Sequence, residues 1–178
     1  MRAVLDACVL YPTVLREILI GAAEAGLIAP RWSPRILAEW THAAARLGPE
    51  GERIARVEAA LMADRFPDAL APDDGERARG LDLPDPADRH VVEAALASGA
   101  TLIVTANLRD FPRGAMAAVG IEARHPDEML LSLWRAEPEA VERIVDAVHA
   151  RAKAAGAAMT RREMLKRVRL TRLAKALG

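Results

Sequence analysis

Short apolar runs alternate along the chain with longer stretches in which apolar residues return every three or four positions. Residues 3–5 read as a short buried strand that ends at Asp6. Residues 13–25 carry enough Leu, Ile and Ala for a helix, and Gly26 closes it. Ser33-Pro34 then supplies an N-cap and a first-turn proline for a helix bearing Ile36, Leu37, Trp40, Ala44 and Leu47, which Gly48-Pro49 stops. A further helix is predicted over 50–63, with Ile54, Val57 and Leu61 at helical spacing. Residues 65–70 are a candidate strand, followed by a polar Asp/Gly/Pro loop that runs to Pro84.

The clearest local signal is Asp85-Pro86-Ala87-Asp88: an N-cap acid, a proline in the first turn and a second acid three positions on. It opens a helix carrying Val91, Val92, Ala94, Ala95 and Leu96, which Gly99 ends. Residues 101–104 are apolar and β-branched, the pattern of a central strand, and 105–112 form the loop at its carboxyl end. A small helix over 114–119 and an edge strand over 121–123 complete the sheet. After Pro126 the pattern is helical throughout: 127–135, 139–154 and one last helix begun by the capping box Thr160-x-x-Glu163. Alternating strands and helices predict an α/β fold with a mostly parallel sheet, in which ligands sit beyond the carboxyl ends of strands. The expected division is 1–125 as the main domain and 126–178 as a helical extension leaning on it.

With 178 residues, 52% of them apolar, the chain is long enough for one substantial core. Arg2 and a short apolar run broken by Asp6 write neither a signal peptide nor a membrane span, so a cytoplasmic location and no membrane partner are expected. The single Cys8 excludes an internal disulfide framework and a cysteine zinc site, and reads as a small buried apolar residue. Lys+Arg and Asp+Glu both total 25, yet their distribution is uneven. Residues 64–90 hold eight acids against four bases, whereas 161–178 hold seven bases and Glu163 alone as an acid. An acidic region able to carry metal, joined to a basic tail able to touch phosphate, suits a nucleic-acid enzyme.

Phosphodiester hydrolysis needs an activated water and charge offset on the phosphoryl oxygens, which Mg²⁺ or Mn²⁺ held by carboxylates from separate elements supplies. Asp6, Glu39 and Asp88 meet this requirement if their elements converge. Residue 8 is not an acid, which argues against a phosphatase nucleophile loop of the Asp-x-Asp kind. Glu39 sits beside an apolar stripe and needs a partner, metal or Arg35. Asp85 is favoured as a cap, while Asp88 can cap and ligate at once. His90 reads as a polar-face residue or hydrogen-bond donor rather than a ligand. Thr105, Asn107 and Asp110 offer further oxygen donors, Asp110 as the charged candidate and Asn107 through water. Arg89, Arg109 and Arg113 are local candidates for phosphate contact. The tail cations, Arg161 to Lys175, suit an RNA backbone or an acidic partner helix, and the tail's apolar side must pack on its own domain or a second subunit.

Four segments together resemble PIN-domain ribonucleases, especially bacterial toxins of the VapC type and their longer relatives. They are Val-Leu-Asp6-Ala-Cys-Val-Leu, Ser-Pro-Arg-Ile-Leu-Ala-Glu39, Leu-Pro-Asp85-Pro-Ala-Asp88-Arg-His-Val-Val, and Leu-Ile-Val-Thr105-Ala-Asn107-Leu-Arg-Asp110-Phe111-Pro. The resemblance spans roughly residues 1–125 and implies a three-layer PIN-like domain with a C-terminal helical extension. It implies metal-dependent RNA cleavage in which the family's acids fall on Asp6, Glu39 and Asp88, with the last meeting Asn107 or Asp110. Asp6, Glu39, Asp88 and Asp110 would hold Mg²⁺ or Mn²⁺; Thr105, Asp85, Arg89 and Arg109 would support them. It further implies a small antitoxin partner, frequent homodimerisation and structured RNA substrates such as transfer RNA. Two other classes share these residues: a non-catalytic RNA- or protein-binding module, and a nuclease acting on DNA or branched nucleic acid.

Overall fold

A computed structural model describes all 178 residues. The order of elements is β1 (Arg2–Leu5), α1 (Ala7–Leu10), α2 (Thr13–Glu24), β2 (Ala29–Arg31), α3 (Pro34–Ala44), α4 (Pro49–Arg65), α5 (Arg89–Ser98), β3 (Leu102–Val104), α6 (Arg113–Ala118), β4 (Glu122–Arg124), α7 (Pro126–Ala136), α8 (Pro138–Ala154), α9 (Arg161–Arg167) and α10 (Thr171–Ala176). The four strands form one parallel sheet in the order β2-β1-β3-β4. Ala3, Val4 and Leu5 of β1 and Ile103 and Val104 of β3 are fully buried, so both faces of the sheet centre are covered and the domain has three layers. No helix is long and apolar enough to cross a membrane.

The predicted starts of α3 and α5 stand on their caps. Ser33 accepts from the Ile36 N–H at 3.1 Å, with Pro34 in the first turn. Asp85 accepts from the Ala87 N–H at 2.8 Å and caps a 3-10 turn over Pro86–Asp88 that runs straight into α5.

Three expectations are corrected. Residues 65–70 are not a strand: α4 runs on to Arg65, and Pro67, without an N–H to donate, opens a 3-10 turn over Pro67–Ala69. The segment meets the sheet through an isolated bridge between Leu70 and Trp32, not as a strand. The missing strand is instead Ala29–Arg31, whose Pro30 is tolerated because β2 is an edge strand bonded only to β1. The helix begun by the Thr160–Glu163 box is two helices. Arg169 turns into the left-handed region at φ 62°, and the Leu170 N–H closes back on the Leu165 carbonyl at 2.9 Å. Buried Asp127 then takes the N–H groups of Arg172 at 2.9 Å and Leu173 at 3.0 Å, starting α10 afresh.

The C-terminal helices share the main core. One apolar cluster of 42 buried residues includes Val4 and Ile103 from the sheet, Val141, Val145 and Val148 from α8, and Leu165 and Leu173 from the tail. At Gly21 of α2 an added Cβ would lie 2.7 Å from Ile144 Cγ2 of α8, so the absence of a side chain there permits close packing of the two helices.

Arg169 occupies a conformation that costs an L-residue roughly 1 kcal/mol relative to glycine. Arg169→Gly is therefore expected to raise Tm by about 2 °C, read by thermal denaturation; an unchanged or lower Tm counts against strain at this turn.

Candidate active site

The chain leaves β1 for β2 on one side and returns to β3 on the other, so the carboxyl ends of β1 and β3 flank a topological switch point. Asp6 and Thr105 are the first residues past those ends. Asp6 is the N-cap of α1 by position, but its carboxylate makes no capping bond. It turns inward instead. The Thr105 hydroxyl donates to Asp6 Oδ2 at 2.7 Å, and the Cys8 thiol donates to the same oxygen at 3.1 Å. Thr105 Oγ1 in turn accepts from the Asn107 N–H at 3.1 Å, and Cys8 Sγ from the Ala106 N–H at 3.3 Å. Asp6 is only 8% exposed, so these two donors offset much of its desolvation.

Cys8 is thus more than the inert apolar residue read from the sequence. Burial, then the adjacent Asp6 charge, pushes its thiol up to about 12, which keeps it protonated and donating to the carboxylate.

Asp88 stands at the junction of the 3-10 turn and α5, and its carboxylate makes no capping bond. Its pKa is raised to about 6, first by burial and then by the charges of Asp110, Asp6 and Asp85. That coupling places Asp6, Asp88, Asp85 and Asp110 in one negative field at the carboxyl edge. Asp110 follows β3 in a short 3-10 turn, 21% exposed, with Arg109 Nε at 3.6 Å.

Glu39, on α3, joins this group indirectly. Its Oε1 lies 3.0 Å from His90 Nε2 and 3.1 Å from Arg35 Nε. Burial pushes Glu39 upward, but the hydrogen bonds and charges of His90 and Arg35 outweigh it and hold the carboxyl below its ordinary range. Arg35 also donates to the Ala87 carbonyl at 3.3 Å, tying α3 to the turn before Asp88. His90 is 5% exposed, and its Nδ1 has no partner. Its spacing from Asp88 was the available signal: two positions on at a helix start, it lies beside the acidic turn.

The remaining predicted residues are more peripheral. Asn107 and Arg109 are exposed, and Asn107 contributes a backbone rather than a side-chain bond. Arg89 is half-buried and donates to the Leu81 carbonyl at 3.4 Å. Phe111 is in the core. No three His, Cys, Asp or Glu side chains are drawn together tightly enough to enclose an ion. The carboxylates share an electrostatic field without forming a closed shell.

A parallel α/β domain whose acids face the carboxyl ends of its two central strands holds them where ligands bind in open parallel sheets. The chain belongs to the PIN domain family, whose model matches residues 2–109. It is also 41% identical over 58 residues to a Mycobacterium tuberculosis (strain ATCC 25618 / H37Rv) protein named "Putative ribonuclease VapC50". That stretch is 33% of this chain and 34% of that protein, so the match spans about a third of the relative's length. No solved structure matches the chain.

Because Asp88 titrates near 6 in the fold against 3.8 in an unconstrained chain, its ionised form is disfavoured by folding. Its effect is absent below the lower value, grows as pH rises between the two, and is complete above the higher. In chelator, Asp88→Asn should melt higher than the parent at pH 7–8 and converge with it near pH 4. Melting curves across that range check this; a difference independent of pH would rule out the charge as its source.

Proposed function

We propose that the chain is a divalent-metal-dependent endoribonuclease that hydrolyses RNA phosphodiester bonds and serves as the toxin of a type II toxin–antitoxin pair. The observation that carries this reading is the gathering of Asp110, Asp6 and Asp85 around half-buried Asp88, whose carboxyl is pushed up to about 6 by burial and by their charges. A site that disfavours the charge of one of its carboxylates in the absence of a cation is suited to hold one. The family match and the likeness to the mycobacterial protein support the nuclease class and the toxin role.

The residues fit Mg²⁺ or Mn²⁺. Their donors are hard oxygens, and the thiol among them is kept protonated. Asp6, Asp88 and Asp110 would hold the ion, with Glu39 beside them and Asn107 reaching through water. When bound, the ion supplies Lewis-acid chemistry, lowering the pKa of a water and offsetting charge on phosphoryl oxygens. The chain's own residues prepare the surface for it. Thr105 and Cys8 fix one oxygen of Asp6 and leave Oδ1 available. His90 and Arg35 hold Glu39 ionised, and Asp85 caps the turn that presents Asp88. Arg109, 3.6 Å from Asp110, would support the acids, and Arg89 and Arg109 would approach phosphate.

Residues 1–125 are the proposed nuclease unit and 126–178 its helical extension. A small antitoxin, a second copy of the chain and a structured RNA such as transfer RNA are the proposed partners. The apolar residues Ile54, Val57 and Leu61, about half exposed on α4, are available to such protein contacts.

The test is cleavage of defined RNA and DNA strands with Mn²⁺, Mg²⁺ or chelator. RNA cleavage should require the ion and fall by about 10²-fold or more in Asp6→Asn and Asp88→Asn. Mn²⁺ should also raise the parent's Tm, through linkage of about 2.7 kcal/mol at 100-fold excess over Kd, and leave that of Asp88→Asn nearly unmoved. Equal cleavage by parent and variants would sink the site assignment. Cleavage of DNA alone would transfer the activity to another substrate, and none at all would favour a binding module.

A further inference from the structure

The carboxyl edge of the sheet extends past the acidic site. Leu5, Val104 and Arg124 are register partners across β1, β3 and β4, and the ladder continues one step beyond them. Asp6 N–H donates to the Val104 carbonyl at 3.1 Å, and Thr105 N–H to the Arg124 carbonyl at 3.0 Å. His125 therefore stands next in the row after Asp6 and Thr105. From there Asp127, two residues on, receives the first N–H groups of α10, so the basic tail begins at the sheet edge that carries the acids. Arg169 and Arg172 come close enough to His125 to reinforce what burial does first, disfavouring its cation, while Asp127 opposes them.

The tail gathers cations that have no acidic partner, in contrast to the exposed face of α4. On α4, Arg53, Arg56 and Arg65 pair with Glu50, Glu52 and Glu24. On the tail, Arg161 pairs with Asp146, and Glu163 is consumed by its capping box. Arg162, Lys166, Arg167, Arg169, Arg172 and Lys175 are exposed and make no ion pair. Between α7 and α10 lies a groove of about 600 Å³ lined by Arg135, Arg172 and Lys175, with Glu128 its one acid. Arg169 is also the single non-glycine residue with positive φ, a costly place for an arginine if its side chain has no task.

An acidic edge repels a polyanion, and unpaired cations beside His125, on the same edge of the sheet, offset that repulsion. We propose that Arg169, Arg172, Lys175 and Arg135 form a binding surface for the sugar-phosphate backbone of the RNA substrate, continuing its path past the acidic site. This rests on the nuclease reading above and assigns the helical extension a substrate-binding role. Continuity with the acids along one sheet edge favours a nucleic-acid strand over an acidic protein.

The experiment measures binding of a labelled single-stranded RNA in chelator, across a salt series, with Asp88→Asn as the non-cleaving parent. Into it go Arg169→Gly and Arg172→Gln together; glycine suits the left-handed turn, and melting curves should show the fold intact. Binding is expected to weaken about tenfold at low salt, and the slope of log K against log salt to fall by about 1.4, two phosphate contacts' worth. With Asp88 restored and Mn²⁺ present, the pair should raise KM about tenfold and leave kcat unchanged. Unchanged binding and salt slope would overturn the proposal, even where Asp88-dependent cleavage upholds the nuclease reading. Polyglutamate bound more tightly than RNA at equal charge, and lost in the variant, would overturn it in favour of an acidic protein. Arginine-dependent RNA binding in a chain that cuts nothing would support the surface and fail the nuclease reading alone.

Discussion

The hydrogen bond from the Thr105 hydroxyl to Asp6 Oδ2 is the constraint on which the acidic edge depends. It joins the first residues past β1 and β3, 99 positions apart in sequence, at the point where the sheet's topology reverses. A hydrogen bond to a charged acceptor is worth about 1.5–3 kcal/mol, and its loss would leave a nearly buried carboxylate with the Cys8 thiol as its remaining side-chain donor. Because Thr105 also accepts from the Asn107 N–H, the same hydroxyl sets the course of the loop that carries Asp110. One side chain thus aligns an acid on one strand with the loop following another.

Around that fixed point the carboxylates are treated unequally. Asp6 is solvated by protein donors, Glu39 is held ionised by His90 and Arg35, and Asp88 makes no capping bond and bears the field of its neighbours. The difference follows from position: Asp6 and Glu39 have donors on packed elements, whereas Asp88 sits at the open mouth of a helix start. An arrangement of this kind separates acids whose charge is met by protein donors from one whose charge is not.

The parts of this arrangement legible in the sequence are those written locally. Ser33-Pro34 and Asp85-Pro86 announce two helix starts, and the apolar runs before Asp6 and Thr105 mark the two central strands, because caps and burial patterns act within a few residues. The edge strand Ala29–Arg31 is not legible, since it has no β-branched residue and contains a proline. Helix α1 is four residues long, too short to show a period. The acids themselves are recognisable as candidates by residue type and by their place at element ends. Their pairing is not: the partnerships of Cys8 with Thr105 and of Glu39 with His90 join residues made neighbours only by the parallel crossovers.

The break in the tail shows the same division between local signal and tertiary override. Met164, Leu165, Val168, Leu170, Leu173 and Leu177 are compatible with one amphipathic helix, and no proline or glycine interrupts them. What divides it is an acid from elsewhere. Asp127, near the start of α7, captures two N–H groups that a continuous helix would have bonded to its own preceding turn. The exchange removes two intrahelical bonds and forces an arginine into a left-handed turn, costs that Leu170 and Leu173, both fully buried, help offset. A straight helix would carry its cations along one line, whereas the break directs α10 back to the sheet edge. The fold thereby accepts local strain in exchange for a tail whose cations Arg169 and Arg172 lie beside His125, just past the end of β4.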